Sequence, residues 1–472
     1  MLLVCSGATF MAFLDLSVVN IAFPKIAERF SSASIASLTW VVSGYAVMFA
    51  AFLTPTGRLA DTVGRTKVFL ASLTGFTVAS VACGLAPTAG WLVASRFVQG
   101  ALAAGMIPAA LGLVLSSTPP QRLTKAIGAW SAAAGFSAVI GPVVGGLLVE
   151  QFSWRSVFLI NVPVGVALLW ASLRVLPRHR PPAGSRLPDF VGTGALALGT
   201  ALVVAALTEG ERWGWSSAAT LGLLAVGAGF GAVALARSWR HPAPAIDTTL
   251  WASRKYAACN LVAAVFGVSM FAYLLAGALF ATAIWRYSIL QAAGALSVGA
   301  GAAMVGSIVA GGIRKPAAHR WVVATGALMF AGCTALMATD LFASQPRFWD
   351  AWVPAGILGG VGLGMAVTAL SSAAATALPP RQFAAGVGMN LTARQLGGAL
   401  GIAGLAAIFS AHNGLSVAGF HDLYRAATVV TVVSAALALG IIDRPRAPGH
   451  TRSPAGTGAE AGAQAPAKVA GA

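Results

Sequence analysis

Long apolar runs separated by short polar stretches dominate the chain from its first residue to about residue 443. Most of these runs are close to 20 residues long, the length with which an α-helix crosses the hydrocarbon core of a bilayer. The pattern predicts an all-α integral membrane protein. We place fourteen spans at residues 2–23, 38–57, 68–87, 91–115, 125–149, 155–175, 190–208, 217–236, 258–282, 289–312, 321–341, 351–376, 384–410 and 424–442.

Composition supports this prediction and removes one competing function. Hydrophobic residues make up 57% of the 472 residues, charged residues only 9%, and the mean hydropathy is +0.80, more apolar material than a soluble core needs. A net charge of +17 is compatible with nucleic-acid binding, but the cations lie in short clusters between apolar runs. That spacing is typical of membrane topology, so no nucleic-acid partner is expected.

The distribution of lysine and arginine predicts the orientation, because cytoplasmic loops carry an excess of these residues. With the N-terminus inside, 21 of the 30 fall on the cytoplasmic side, 7 on the opposite side, and Arg96 and Arg394 lie within spans. Both termini are therefore expected in the cytoplasm.

An internal repeat predicts how the spans are grouped. Gly105–Leu111 in span four resembles Gly364–Leu370 in span twelve, and both runs continue into a double proline and a basic residue. Parallel repeats of this kind build two bundles of transporter helices. We expect a six-helix bundle at 1–175, a linker with two inserted spans at 176–256, a second six-helix bundle at 257–443, and a disordered cytoplasmic tail at 444–472.

Several classes of site find no support in the sequence. The four cysteines are scattered through apolar runs and the six histidines form no cluster, so neither a metal site nor a disulfide is expected. No nucleotide-binding loop is visible, and no group of His, Asp or Glu is typical of a membrane enzyme. We therefore expect neither a cofactor nor enzymatic activity.

Two charged residues inside spans are the candidates for chemistry. Asp15 lies near the middle of span one, where a charge costs roughly 2.5–3.5 kcal/mol, and an acid in apolar surroundings retains its proton more readily, as a proton carrier must. A purely structural hydrogen bond from Asp15 to backbone or to Asn20 remains an alternative. Arg96, in span four, needs a partner, and our hypothesis is that it senses the protonation of Asp15. A packing or snorkelling role is the competing interpretation.

Two further segments carry a pattern of glycine and charge. Gly141 and Gly145 in span five permit close helix packing, and Pro142 between them introduces a kink, with Gly146 following. Between spans two and three, residues 57–67 are predicted to form a tight charged loop. In this loop Asp61 and Arg65 are expected to act as a latch that bonds to nearby span ends and steadies the outward-facing state.

These segments together resemble the major facilitator superfamily and, within it, the fourteen-span drug:proton antiporters of the EmrB/QacA type. The resemblance covers about residues 1–443. Residues 57–67 resemble the superfamily's loop signature, although Thr62 replaces its usual basic residue, and the Asp15 run resembles the antiporter signature with Ser17 in place of threonine. The signature positions are Gly57, Asp61, Gly64, Arg65 and Lys67 in the loop, Arg96 in span four, and Gly141, Pro142, Gly145 and Gly146 in the antiporter motif.

The resemblance implies a proton-driven efflux transporter for hydrophobic or amphipathic small molecules, such as drugs or antibiotics, in the cytoplasmic membrane. Its expected partners are that substrate, protons and the lipid bilayer, and the chain is expected to act as a monomer. Export of one endogenous metabolite, or solute import on the same fold, remains the alternative. Residues expected near the cavity are Asn20, Gln99, Arg394 and Gln395, where Arg394 either lines the cavity or binds carbonyl groups.

Overall fold

The computed structural model describes residues 1–177, 189–313, 315–412 and 414–441, which form long helices without any strand. The expected disordered tail at 444–472 and the linker residues 178–188 lie outside the described residues. The long helices are α1 (Leu2–Arg29), α2 (Trp40–Val63), α3 (Arg65–Gly84), α4 (Ala89–Ser116), α5 (Leu123–Gln151), α6 (Asn161–Val175), α7 (Phe190–Trp213), α8 (Ala218–Ser238), α9 (Arg254–Leu279), α10 (Ile289–Gly312), α11 (His319–Met337), α12 (Val353–Ala377), α13 (Phe383–Ala411) and α14 (Val417–Ala438).

Each of the fourteen predicted spans overlaps one of these helices. Within the described residues, thirteen helices are long and apolar enough to cross a membrane, and α14 is not among them. The first half of α14 carries His421, Asp422 and Arg425, which lower its hydropathy. The fourteenth span and the placement of the termini therefore stay predictions.

Serine and threonine side chains begin several of the helices. The hydroxyl groups of Thr88, Ser217, Ser253 and Ser288 accept from backbone N–H groups in the first turns of α4, α8, α9 and α10. The first turn of a helix has N–H groups without an intrahelical partner, so these caps fix where each helix begins.

The predicted loop at 57–67 is wrong in its extent. Helix α2 continues through Asp61 to Val63, and α3 begins at Arg65, which leaves Gly64 as the only residue between them. Gly64 adopts φ +118°, a left-handed conformation that glycine accepts readily. Continuing the helix satisfies backbone groups close to the membrane, so polar residues did not end it. Helix α1 likewise continues past Pro24 to Arg29.

The same helix pairs pack against each other in the two halves of the chain. In the first half (α1–α6), α1 packs on α5, α2 on α4, and α3 on α4 and α6. In the second half (α9–α14), α9 packs on α13, α10 on α12, and α11 on α12 and α14. Adding eight to each helix number converts the first set into the second.

The halves meet mainly where α5 packs on α10 and α2 packs on α13. At the first contact the backbones of Gly128 and Gly311 approach so closely that a Cβ on either glycine would meet the backbone of the other helix at about 3 Å. The inserted helix α7 packs on α2 and α13, and α8 packs on α7. The inserted pair therefore lies beside the seam between the halves.

Candidate functional site

Asp15 of α1 and Arg96 of α4 form a buried ion pair in the first half. Arg96 Nη1 donates to Asp15 Oδ2 at 2.5 Å, and neither side chain has any exposed surface. Two unpaired charges at this depth would each carry a large desolvation cost, whereas a hydrogen-bonded pair offsets much of it. Each residue is thus stable at this buried position because the other compensates its charge.

Neutral polar groups complete the surroundings of the Asp15 carboxylate. Asn161 Nδ2 donates to Asp15 Oδ1 at 2.7 Å and Gln99 Nε2 donates to the same oxygen at 3.1 Å. Gln99 Nε2 also donates to Ser80 Oγ at 2.8 Å. Side chains from α4 and α6 therefore bind the Asp15 carboxylate of α1 directly, and Ser80 of α3 supports them through Gln99.

Further contacts of Arg96 reach α2. Its Nε donates to the Val41 carbonyl oxygen at 2.8 Å, and its guanidinium carbon lies 4.2 Å from the centre of the Tyr45 ring. Gly100, one turn later, allows this approach, because a Cβ at Gly100 would clash with the Tyr45 backbone. Arg96 Nη2 is buried and has no hydrogen-bond partner among the described residues.

The structure brings some of the predicted site residues together and leaves others apart. Asn20 is exposed, and its Nδ2 donates to the Leu16 carbonyl oxygen, so the alternative partnership with Asp15 is wrong. Arg96 is enclosed rather than snorkelling. Gln99, expected at the cavity, is fully buried beside Asp15. Asn161 was missed, although a lone amide in a predicted span was a usable signal.

Asp61 connects the two halves through a helix terminus. Its two carboxylate oxygens accept from the backbone N–H groups of Ala385 at 2.7 Å and Ala384 at 3.3 Å, in the first turn of α13. These N–H groups lack intrahelical partners and carry the positive end of the helix dipole. Asp61 therefore caps a helix that belongs to the other half.

Arg65 strengthens this connection from the start of α3. Its Nε donates to Asp61 Oδ1 at 2.7 Å, its Nη1 to the Gly112 carbonyl oxygen at 3.2 Å, and its Nη2 to the Pro380 carbonyl oxygen at 2.5 Å. Pro380 precedes α13, so Arg65 and Asp61 hold the same helix start.

The other positions of the loop signature differ in their environment. Gly57 faces α13, where a Cβ would clash with the Ala384 carbonyl oxygen. The hydroxyl of Thr62 donates to carbonyl groups of its own helix, including that of Arg58 at 3.1 Å. Lys67 is exposed. Four signature positions therefore surround the contact with the start of α13: Gly57, Asp61, Gly64 and Arg65. Lys67 does not reach this contact.

Glycines of α5 allow that helix to approach α1. A Cβ at Gly141 would clash with the Ser17 side chain, and a Cβ at Gly145 would lie 3.2 Å from Val18 Cα. In the described part of the chain, no neighbouring atom lies within 4 Å of such a Cβ at Gly146. Pro142 lies within the helix between the two contact glycines. The close packing predicted for this motif therefore involves two of its glycines.

Arg394 lies near the middle of α13. Its Nε is buried without a hydrogen-bond partner, and within the described ranges the side chain forms no ion pair. Asn390 and Leu391, one turn earlier on the same face, line a small cavity between the halves together with Leu111. Neighbouring Gln395 is partly buried.

Two observations now decide the family. Residues 5–316 match the model described as Major Facilitator Superfamily, which is more than half of the chain. The all-helical fold, with one set of helix pairs repeated in both halves, agrees with that match. The chain belongs to the major facilitator superfamily.

Relatives of this major facilitator protein are named for antibiotic transport and resistance. It is 33% identical over 85% of its length to the "Probable actinorhodin transporter" of Streptomyces coelicolor, of which the match covers 71%. It is 32% identical over 94% of its length to the puromycin resistance protein pur8 of Streptomyces alboniger, of which 91% is covered. Among solved structures, the human organic anion transporter MFSD10 aligns with a TM-score of 0.67 at 14% identity, covering 93% of this chain and 98% of that one.

The predicted fold class and family are thereby confirmed, and a multi-pass membrane transporter with a small-molecule substrate follows from the family. Proteins of this superfamily are transporters rather than enzymes, in agreement with the sequence prediction.

Proposed function

We propose that this major facilitator protein is a proton-driven exporter of hydrophobic or amphipathic small molecules, such as drugs or antibiotics, across the cytoplasmic membrane. The buried Asp15–Arg96 pair is the observation that carries the proposal. An ionisable side chain inside a membrane span is costly, and such residues typically mark proton or substrate pathways. The names of the relatives support export, and the distribution of lysine and arginine supports a cytoplasmic position for both termini.

Proton binding at Asp15 would act on the surrounding helices through Arg96. When the carboxylate takes up a proton it loses its charge, and the attraction to the guanidinium weakens. Arg96 keeps hydrogen bonds to the Val41 carbonyl and to Gln99 Oε1, so it remains held by α2 and α4 while Asp15 is released. A change of charge at one atom thereby alters the contact between α1 and α4.

In this proposal, the latch formed by Asp61 and Arg65 determines on which face of the membrane Asp15 takes up its proton. Asp15 is enclosed in the present conformation, so a proton reaches it only after the helices rearrange. In the proposed cycle Asp61 and Arg65 hold the start of α13 while the opposite face is open, and substrate leaves there as Asp15 takes up a proton. The inward movement of this proton then drives the substrate-free transporter back to the conformation that is open to the cytoplasm.

The proposed moving units are the two bundles, 1–175 and 257–443, with the inserted pair at 176–256 between them in sequence. The contacts of α5 with α10 and of α2 with α13 form their interface. Because these contacts lie within one chain, a monomer is the proposed transporting unit.

Transport in everted membrane vesicles tests the function. Wild type and Asp15→Asn are compared with a panel of dyes and antibiotics, under a proton gradient and with a protonophore. Accumulation that collapses in both the variant and the protonophore samples supports the proposal. Accumulation that persists in Asp15→Asn removes Asp15 from coupling. Movement of only one host metabolite, or movement in the import direction, favours the alternative functions.

A further inference from the structure

A second connection between the halves runs through Asp247, in the segment that leads from the inserted pair into α9. Arg58 of α2 donates through Nη1 to Asp247 Oδ2 at 3.2 Å, and Gln382, which precedes α13, donates through Nε2 to the same oxygen at 2.6 Å. The Asp247 side chain is 8% exposed and the Arg58 side chain 16%. One carboxylate oxygen therefore joins a helix of the first half to a loop of the second.

The segment around Asp247 is fixed in place, so it offers a rigid anchor. Oδ1 of Asp247 accepts from Thr249 N at 3.2 Å and Thr249 Oγ1 at 2.6 Å, which caps the short helix that follows. Arg58 Nε donates to the Pro244 carbonyl oxygen at 3.0 Å. Leu250 is buried in the main apolar core, against which Ile246 packs.

Asp247 and Asp61 both connect α2 to the start of α13. Arg58 and Asp61 lie one turn apart on α2, and Gln382 lies two residues before Ala384, whose N–H binds Asp61. If the halves separate at this face, the Gln382–Asp247 hydrogen bond or the Asp247–Arg58 pair must break along with the Asp61 cap.

We propose that Asp247 is a gating residue, and that the segment after the inserted helices forms a second latch beside Asp61. This inference rests on the proposed transport cycle and gives the inserted pair a part in it: the pair positions an acid that neither half supplies. Because the hydrogen bonds of Asp247 involve a charged group, their loss should change the balance of conformers measurably.

Distances between spin labels measure that balance without any transport assay. Labels at Gln121 and Ala317, both exposed, report the separation of the α4–α5 and α10–α11 loops, while the four native cysteines are buried. Gln382→Ala removes the bond to the second half and leaves the Thr249 cap intact. We expect Gln382→Ala and Asp247→Asn each to raise the population with separated loops about tenfold, and we expect the same of Asp61→Asn.

Matched controls separate gating from general damage. Asp422→Asn removes an acid whose partners, Arg425 and His412, lie in its own half, and should leave the distances unchanged. Arg58→Gln combined with Asp247→Asn should shift the distances no further than either change alone. Distances in Gln382→Ala and Asp247→Asn that match wild type, while Asp61→Asn shifts them, would overturn the proposal. That outcome would leave proton-driven transport in vesicles unaffected, so the two proposals fail separately.

Discussion

Asp15 and Arg96 are 81 residues apart in sequence, yet a single 2.5 Å hydrogen bond joins Oδ2 of one to Nη1 of the other in a fully buried pair. Among the described residues, the other side-chain partners of the Asp15 carboxylate are the neutral amides of Gln99 and Asn161. The charge of each residue is therefore compensated chiefly by the other, and this relationship determines how the protein should respond to substitution.

Removing the charge of Asp15 should destabilise the protein as well as stop coupling. In Asp15→Asn the guanidinium of Arg96 stays buried without a carboxylate, a change that typically costs about 3–5 kcal/mol. We expect a lower thermal unfolding temperature and at least a tenfold loss of proton-driven efflux. Thermal unfolding in detergent and vesicle transport measure the two effects, and Asp422→Asn is the control. An unchanged unfolding temperature would contradict the importance given to the pair.

Neutralising both members should restore part of the stability but none of the coupling. In Asp15→Asn combined with Arg96→Gln no charge remains buried, so the stability loss should be smaller than the sum of the single changes by about 0.5–3 kcal/mol. Unfolding of the four proteins of this double-mutant cycle gives that interaction energy. Strict additivity would show that the two side chains act independently.

The glycines of α5 offer a matched pair of substitutions. Gly141→Ala places a Cβ against the Ser17 side chain and should separate α5 from α1, whereas Gly146→Ala meets no atom within 4 Å. We expect efflux to fall several-fold in the first variant and to stay at the wild-type level in the second, at equal expression. Equal loss in both would mean that helix flexibility, rather than close packing, matters at this motif.

Arg394 should favour acidic substrates. Arg394, near the middle of α13, has no acidic partner among the described residues, and its charge is best compensated by a carboxylate or an acidic phenol of the ligand. In purified protein, Arg394→Gln should weaken binding of 9-anthracenecarboxylate about tenfold and leave 9-anthracenemethanol unchanged, with Arg425→Gln as the control. A parallel loss for both probes would instead indicate a structural role.

The Asp189–Arg237 pair outside the first half should make stability depend on pH. Burial tends to raise the pKa of Asp189, but hydrogen bonds from Arg237 and from Gly192 N–H outweigh it, so the pKa is lowered. Stability from this pair is therefore present above the unfolded pKa of about 3.9 and lost as the pH falls through the lower folded value. Asp189→Asn should unfold at a lower temperature than wild type at pH 7. The difference should vanish in strong acid, and a difference that persists there would exclude the ion pair as its cause.

Local transfer energetics explain what could be predicted from the amino-acid sequence. The length of each apolar run predicted a helix, and a charge inside such a run singled out Asp15, Arg96 and Arg394, because each is costly at that position whatever surrounds it. The spacing of Gly141 and Gly145 predicted close packing for a different local reason. Helical periodicity places both glycines on one face, where the lack of side chains lets another helix approach.

Only the tertiary structure decided which groups meet. The partners of Asp61 are backbone N–H groups more than 320 residues away, and no side chain marks them in the sequence. Asp247 resembled an ordinary loop acid, and the amide of Asn161 gave no indication in the sequence that its partner is Asp15, 146 residues earlier. Such pairings depend on how helices are arranged in three dimensions, and that arrangement is set by contacts summed over the whole chain rather than by any local pattern.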